Sequence, residues 1–478
     1  MNSVNYGLLK IKKKLVVLLD KWDKMNFINQ TSKALKEFDF RLWAALILMG
    51  LFPAIYLTVR INFLGDMPQD WGINIASQLA WINLIYEIFQ EALILPLFYV
   101  LGKSIKNKFE LENKIRGGLS IIFGIYLALA LFIYFFAEAL VVFMAQDSSL
   151  VDATVQYIRL ETIAILFSTI VRFFVIVLMF IKKEKYLYII LAAQMVLSIL
   201  LDAFLISNLS FSIQMGVNGI AISNIITNIS IMVIAMLLLS KENIFIIRKN
   251  MKITFSWIKG WAKIGMYSGF ESFLRNAAFM IMIIRMVNVV SEQGNYWIAN
   301  NFIWIWLLLP ILALADVIRK EIGENPDNIR TKTFSYMLVA FTIILFWVIT
   351  IPLWRPFLIN AMNVTDYQIV FGIVMLQLIP YITFAFNSII DSTFYGLGLT
   401  KYMLIQSVCI DVVYYGIAFI LYIAGIFQPT LTGISIMFGL GMMLDLIPAS
   451  ILYFRMLKKN NIKIDFYRVA VSKDTKTD

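Results

Sequence analysis

The sequence has no histidine and only one cysteine among its 478 residues. Without histidine, the chain lacks the usual proton shuttle and the most common metal ligand, so any proton coupling must use carboxylates. Because Cys409 is alone, no disulfide can form within the chain and no thiolate metal cluster can be built. We therefore expect no metal site, no catalytic residues and no cofactor other than Na⁺ or H⁺ as a coupling ion.

Charged residues are also scarce. They make up 15% of the chain, against 60% hydrophobic residues, and the mean hydropathy is +0.80. A soluble domain of this length rarely has such a composition, so the sequence predicts a membrane protein. The net charge of +11 could suggest a nucleic-acid partner, but the positions of the cations, described below, give it another explanation.

Apolar stretches of about 20 residues, long enough to cross about 30 Å of hydrocarbon, occur twelve times in the sequence. Segments this long can satisfy their backbone polar groups in lipid only as helices. The predicted fold class is therefore an all-α polytopic membrane protein with twelve transmembrane helices. Their approximate limits are 42–64, 74–101, 117–144, 154–181, 186–207, 216–240, 264–290, 294–318, 333–354, 366–395, 402–424 and 431–454.

The lysines and arginines indicate the orientation of the chain. Thirty-four of the 41 lie in the two terminal segments and in the connections on one side of the predicted membrane. Since cytoplasmic loops are rich in Lys and Arg, this distribution predicts that both termini are cytoplasmic. The basic charge then reflects topology, and we expect no nucleic-acid partner. We expect a multi-pass protein of a bacterial inner membrane, monomeric in the lipid bilayer.

Weak internal repeats divide the chain into two halves. Three short patterns, beginning at Ala76, Lys185 and Gly219, return 214 to 223 residues later. Such duplication is frequent in transporters. The predicted organisation is a cytoplasmic amphipathic segment (1–41), an N-lobe of spans 1–6 (42–240), a basic cytoplasmic linker (241–263), a C-lobe of spans 7–12 (264–456) and a cytoplasmic tail (457–478).

Several motifs resemble the multidrug and toxic compound extrusion (MATE) family, part of the multidrug/oligosaccharidyl-lipid/polysaccharide superfamily. They are the segment Ile199–Ile206 around Asp202, the opening of span 7 at Gly265–Ser272, the Leu309-Pro310 region and the glycine-rich turn Phe394–Lys401. The resemblance covers nearly all of residues 42–456. It implies two six-helix lobes about a central cavity and the export of organic compounds.

One position departs from the family pattern. Members coupled to sodium or protons often carry an aspartate near the end of the first span, before an aromatic and glycine pattern, where this chain has Arg60-Ile-Asn-Phe63-Leu-Gly65. In the family that aspartate and the fifth-span aspartate, here Asp202, hold the coupling ion. If Arg60 lies opposite Asp202, the arginine could act as a built-in counter-ion in place of a transported one.

Ionisable groups within the membrane are costly, so most of them must face a cavity or a partner. Glu87 and Glu91 are four residues apart and share a helix face, where they could form a cation site or pair with arginines. Glu271 and Arg275 have the spacing of an intrahelical ion pair, which could be purely structural. Our coupling-ion or substrate-binding candidates are Asp202, Arg60, Glu271, Arg275, Glu87, Glu91, Asp391, Asp411 and Asp445.

We expect a secondary active efflux transporter, an antiporter, whose small-molecule substrates are amphipathic and cationic organic compounds. The coupling ion, Na⁺ or H⁺, is left open by the arginine at position 60. A flippase for a lipid-linked anionic headgroup is the alternative that the intramembrane arginines favour. A non-transporting receptor or sensor is the alternative of another class. The sequence gives no support to an enzyme, because it has no histidine and no convincing pair of nucleophile and base.

Overall fold

The structure is a computed structural model that describes residues 35–36, 38–67, 71–94, 96, 101, 107–181, 183–244 and 253–464. Three sequence predictions therefore lie largely or partly outside the described residues. These are the N-terminal amphipathic segment, the middle of the basic linker and the end of the C-terminal tail.

Helices occupy the positions of all twelve predicted spans. We number these spans 1 to 12 in chain order. They are Phe40–Gly65 (1), Trp71–Ser77 with Leu79–Leu93 (2), Lys108–Phe143 (3), Val151–Phe180 (4), Glu184–Leu205 (5), Val217–Lys241 (6), Ile258–Val289 (7), Gln293–Leu307 with Leu309–Glu324 (8), Asn328–Asn360 (9), Tyr367–Gly396 (10), Thr400–Ile423 (11) and Leu431–Lys459 (12).

Ten of these helices are each long and apolar enough to cross a membrane, and the two helices of span 8 form an eleventh crossing that is bent by 52°. Span 2 runs to Leu93, and its predicted continuation to residue 101 lies mostly outside the described residues. The predicted all-α fold with twelve spans is confirmed.

The helices follow from local sequence signals. Three spans begin just after a polar residue whose side-chain oxygen accepts a backbone N–H of the first turn, namely Asp39, Asn107 and Thr430. In span 3, buried and exposed residues lie on different faces of the helix. One stripe at helical spacing is buried, whereas Phe135 and Phe136 on another face are 71% and 53% exposed, as expected for contact with lipid. The stripe consists of Ile122, Tyr126, Ala130, Ile133, Ala137 and Val141.

Three spans contain a π-helical stretch: Met280–Ile284 in span 7, Phe302–Leu307 in span 8 and Val408–Tyr414 in span 11. The bend of span 8 follows its π-helical stretch and lies beside Pro310, which has no backbone N–H to continue the helix. π-Helical turns are often found at functional sites. The stretch in span 11 carries Asp411, one of the candidate residues.

The two lobes meet where span 2 packs against span 7 and span 1 against span 8. Close contact between spans 2 and 7 depends on two glycines at their predicted cytoplasmic ends. A β-carbon at Gly269 would lie 2.6 Å from the β-carbon of Ala92, and a β-carbon at Gly265 would collide with the Ala92 carbonyl oxygen. Glycine is therefore required at these positions for the helices to approach each other.

We expect Gly265→Ala to destabilise the protein by about 1–3 kcal/mol, because the Ala92 carbonyl belongs to a helix backbone that cannot yield without separating the lobes. The measurement is the midpoint of thermal unfolding in detergent. Gly124→Ala is the matched control, since a β-carbon there meets no atom within 4 Å. Equal midpoints for the two variants would show that the lobes do not pack here as described.

Candidate functional site

The candidate site is a cavity of about 700 Å³ lined by residues of spans 1 to 6. Its volume is within the range of typical small-molecule pockets. The resemblance implied a chamber between the lobes, whereas this cavity is lined by N-lobe residues. Five charged residues line it: Arg60, Glu87, Glu91, Glu161 and Arg172.

Arg60 and Asp202 form a buried, bidentate ion pair. Nε of Arg60 donates to Oδ2 of Asp202 at 2.7 Å, and its Nη2 donates to Oδ1 at 3.1 Å. Arg60 is 7% exposed and Asp202 is 1% exposed. Parallel hydrogen bonds between a guanidinium and a carboxylate are strong and geometrically specific. Both oxygens of Asp202 are engaged, so the carboxylate is neutralised by the protein itself.

Arg275 of span 7 gathers three carboxylates from both lobes. Its Nη2 donates to Glu87 at 3.1 Å and to Glu91 at 2.8 Å, both in span 2, and its Nη1 donates to Glu271 at 3.1 Å. The intrahelical pair suggested by the spacing of Glu271 and Arg275 is present. The contacts with Glu87 and Glu91 connect the C-lobe to the rim of the N-lobe cavity.

A second connection between the lobes lies toward the opposite end of spans 2 and 7 and uses amides. Gln78 and Asn288 exchange hydrogen bonds of 2.8 and 3.1 Å. Gln78 also donates to Gln146 at 3.0 Å, and Asn288 donates to the Met144 carbonyl at 2.8 Å. Gln78, Gln146 and Asn288 are all buried. The lobes therefore touch through polar contacts at two levels of the span 2 and span 7 interface.

Span 1 and the connection after span 9 add a further contact between the lobes at the same end. Asn363 donates to the Asp66 carboxylate at 2.7 Å and to the Asn62 carbonyl at 3.2 Å. This side of the interface is thus closed by neutral amides and one acid, whereas the predicted cytoplasmic side holds the Arg275 cluster.

In the C-lobe, Asn387 joins two of the candidate carboxylates. Its Nδ2 donates to Asp445 at 2.8 Å and to Asp391 at 3.3 Å. One oxygen of Asp391 is buried without a hydrogen-bond partner. Within the described part of the chain, no Lys or Arg nitrogen lies within 4 Å of Asp391, Asp411 or Asp445. These carboxylates are therefore not neutralised by an ion pair in the way that Asp202 is.

The structure also distinguishes arginines that the sequence treats alike. Arg159 and Arg285 donate to main-chain carbonyls, those of Tyr134 and Phe143, and each guanidinium lies over the aromatic ring of the same residue. Arg172 instead faces the cavity. Neither Arg172 nor Glu161 is among the candidates selected from the sequence.

Residues outside the candidate set thus complete the site. Glu161 is 1% exposed and accepts a hydrogen bond of 2.7 Å from Asn224 of span 6. Asn387 bridges two carboxylates that the sequence could place only on separate spans. A helical-wheel comparison of Glu161 and Arg172 would have shown that they share a face, although not that this face borders a cavity.

No protein-family model matches the chain, and no curated protein matches it in sequence. Solved structures match its fold. An inward-facing multidrug resistance MATE family transporter of the MOP superfamily aligns over 91% of this chain and 99% of its own length, with a TM-score of 0.65 and 16% identity. An outward-facing structure of such a transporter aligns over 90% and 97%, with a TM-score of 0.62 and 16% identity.

A MOP superfamily transporter from Pyrococcus furiosus also aligns, over 86% of this chain and 96% of its own, with a TM-score of 0.59 and 17% identity. That protein is described as having a binding pocket of reversed polarity that suggests a different function. At these identities the likeness shows the fold alone. The chain is a multi-pass membrane protein with the MATE transporter fold, and the fold implied by the sequence motifs is confirmed.

Proposed function

We propose that the protein is a secondary active efflux transporter that moves amphipathic organic compounds by alternating access. The observation that carries this proposal is the charged cavity of about 700 Å³ within the membrane-spanning helices. Each charged side chain within hydrocarbon raises the free energy of the folded protein, so five such residues around one space are expected only where the space admits water or a substrate. Glu161, together with Glu87 and Glu91 at the rim, favours compounds that carry a cationic group.

Alternating access requires contacts between the lobes that can break on one side while they hold on the other. The Gln78–Asn288 amides and the Arg275 cluster lie at different levels of the same helix pair, spans 2 and 7. Both are polar networks, which water can replace when that side opens. Rocking of the lobes about spans 2 and 7 would then expose the cavity to each side in turn.

We propose that the coupling ion binds in the C-lobe. The Arg60 guanidinium already occupies Asp202, so this aspartate cannot bind Na⁺ or a proton without breaking two hydrogen bonds. Asp391 and Asp445 have no such cation partner in the described structure and are joined through Asn387. We therefore place the coupling site at Asp391 and Asp445, with Asp411 and Glu271 as neighbouring candidates.

The test is transport by the purified protein in proteoliposomes. With an imposed Na⁺ or H⁺ gradient, the wild type is expected to move the cationic dye ethidium against its concentration gradient. Asp391→Asn is expected to reduce this ion-driven flux at least tenfold, because the neutral amide cannot exchange an ion. Asp316→Asn is the control, since Asp316 is exposed and paired with Arg319 at 3.0 Å. Absence of ethidium movement under both gradients would contradict the transport proposal.

A flippase for a lipid-linked anionic headgroup is the second candidate, favoured by one observation: a guanidinium, that of Arg172, faces the cavity. The Pyrococcus furiosus protein shows that this fold is found with a pocket of reversed polarity. Translocation of a fluorescent anionic lipid without ethidium flux would support the flippase. A sensor that does not transport would move neither compound.

A further inference from the structure

Some of the charged residues that line the cavity form ion pairs with other residues of the protein, and some do not. Arg60 is held by Asp202, while Glu87 and Glu91 are both held by Arg275. Two charged groups then remain among the residues that line the cavity, namely Glu161 and Arg172. Neither of them makes an ion pair within 4 Å in the described structure, although Glu161 interacts at longer range with Arg60, and Arg172 with Glu87.

Arg172 is exposed to the cavity and makes no hydrogen bond or ion pair with any described residue. An unpaired guanidinium at membrane depth is unusual, because intramembrane charges are normally matched by a partner. Its planar donor groups fit carboxylate, phosphate and sulfonate oxygens. The cavity thus contains a set of hydrogen-bond donors that suits an anionic group.

Polar neighbours of Arg172 extend this donor set. Ser168 lies one turn before Arg172 on the same face of span 4, and Gln194 faces the same cavity from span 5. Neither side chain makes a hydrogen bond to a described residue. A hydroxyl and an amide can therefore join the guanidinium in binding an anion.

Glu161 and Arg172 lie on the same helix face at a fixed separation. Eleven residues correspond to three helical turns plus about 20°, and to a rise of about 16 Å. Span 4 therefore presents a carboxylate toward one end of the cavity and a guanidinium toward the other. Side chains between them that line the cavity are small or apolar: Ala164, Ile165, Ser168 and Thr169.

We infer that the cavity binds zwitterionic amphipathic compounds, with the anionic group on Arg172 and the cationic group toward Glu161. The rise of about 16 Å, less a contact distance of about 3 Å at each end, selects compounds whose charges lie about 10 Å apart on an apolar body. A free amino acid is too short to reach both groups. This inference rests on the proposed transport function for its biological meaning, because it names the substrate class of the same cavity.

The test is binding of a matched pair of dyes to the purified protein in detergent. Rhodamine B carries a carboxylate on a phenyl substituent and one positive charge shared by two dialkylamino groups of its ring system, and its ethyl ester keeps the positive charge but lacks the acid. We expect the wild type to bind rhodamine B about tenfold or more tightly than the ester, as expected for a hydrogen bond between charged groups. Fluorescence anisotropy measures both dissociation constants.

Three variants assign the preference to the two ends of the cavity. Arg172→Gln is expected to bring the ratio of the two dissociation constants close to one through weaker binding of rhodamine B alone, and Arg172→Lys is expected to keep part of the preference. Glu161→Gln is expected to weaken both dyes alike, because both carry the cation. Arg285→Gln, which alters an arginine outside the cavity, is the control and should keep the wild-type ratio.

Equal affinity of the wild type for the two dyes would overturn the inference, as would no measurable binding of either dye or an equal loss of both in Arg172→Gln. Failure of the transport proposal would look different. In that case rhodamine B would still bind selectively in detergent, but a Na⁺ or H⁺ gradient would drive neither dye against its concentration gradient in proteoliposomes.

Discussion

Replacement of Asp202 by asparagine is expected to destabilise the protein by about 3–5 kcal/mol. The substitution leaves the Arg60 guanidinium buried and without its charge partner, and loss of one partner from a buried ion pair has a cost of this size. The measurement is the midpoint of unfolding in detergent, followed by intrinsic fluorescence. Arg60→Met is expected to have an effect of the same sign, because it isolates the Asp202 carboxylate in turn.

The double variant Arg60→Met with Asp202→Leu distinguishes an ion pair from a general loss of packing. Apolar residues of similar volume often replace a buried ion pair at little cost, so the double variant should be more stable than either single variant. Additive destabilisation of the two single changes would contradict a direct pair. Asp316→Asn serves as a control for the loss of a carboxylate, because Asp316 is exposed.

Replacement of Arg275 by glutamine is expected to open the contact between spans 2 and 7 on the predicted cytoplasmic side. Without the guanidinium, three carboxylates, Glu87, Glu91 and Glu271, remain close together and repel one another. Hydrogen exchange measured by mass spectrometry should rise several-fold in peptides covering the ends of these spans, near Ala92. Peptides around Gln78 and Asn288, at the other level of the interface, should not become more exposed.

Neutralising the three glutamates restores the contact if repulsion is the cause. The variant with Glu87, Glu91 and Glu271 all changed to Gln in the Arg275→Gln background should exchange at close to the wild-type rate. Arg285→Gln is the matched control, because Arg285 binds a main-chain carbonyl and takes part in no described ion pair. Unchanged exchange in Arg275→Gln would show that the cluster does not hold the lobes together.

Most of the fold could be predicted from hydropathy, because a span of about 20 apolar residues has one physical solution in lipid. The break in span 2 at Gln78 was not predicted. Gln78 lies between the helices Trp71–Ser77 and Leu79–Leu93, and its side chain joins the amide network between the lobes. Such a break depends on tertiary contacts that a hydropathy average does not contain.

The candidate site was predicted in part. The charge at position 60 suggested a partner for Asp202, and the two side chains are in contact. The spacing of Glu271 and Arg275 indicated their intrahelical pair but not the contacts of Arg275 with Glu87 and Glu91, which depend on how closely the glycines of span 7 approach Ala92. Pairing between distant spans is set by packing, and one sequence does not reveal it.

Ion-driven ethidium flux in proteoliposomes, compared for two variants at matched protein amounts, tests most directly which lobe exchanges the coupling ion. We expect Arg60→Met/Asp202→Leu to keep flux that depends on a Na⁺ or H⁺ gradient, because the Arg60–Asp202 pair neutralises itself within the N-lobe. We expect Asp391→Asn/Asp445→Asn to lose this dependence, because the C-lobe carboxylates exchange the ion. Loss of ion-driven flux in the first variant with full retention in the second would show that the C-lobe is not the site of coupling.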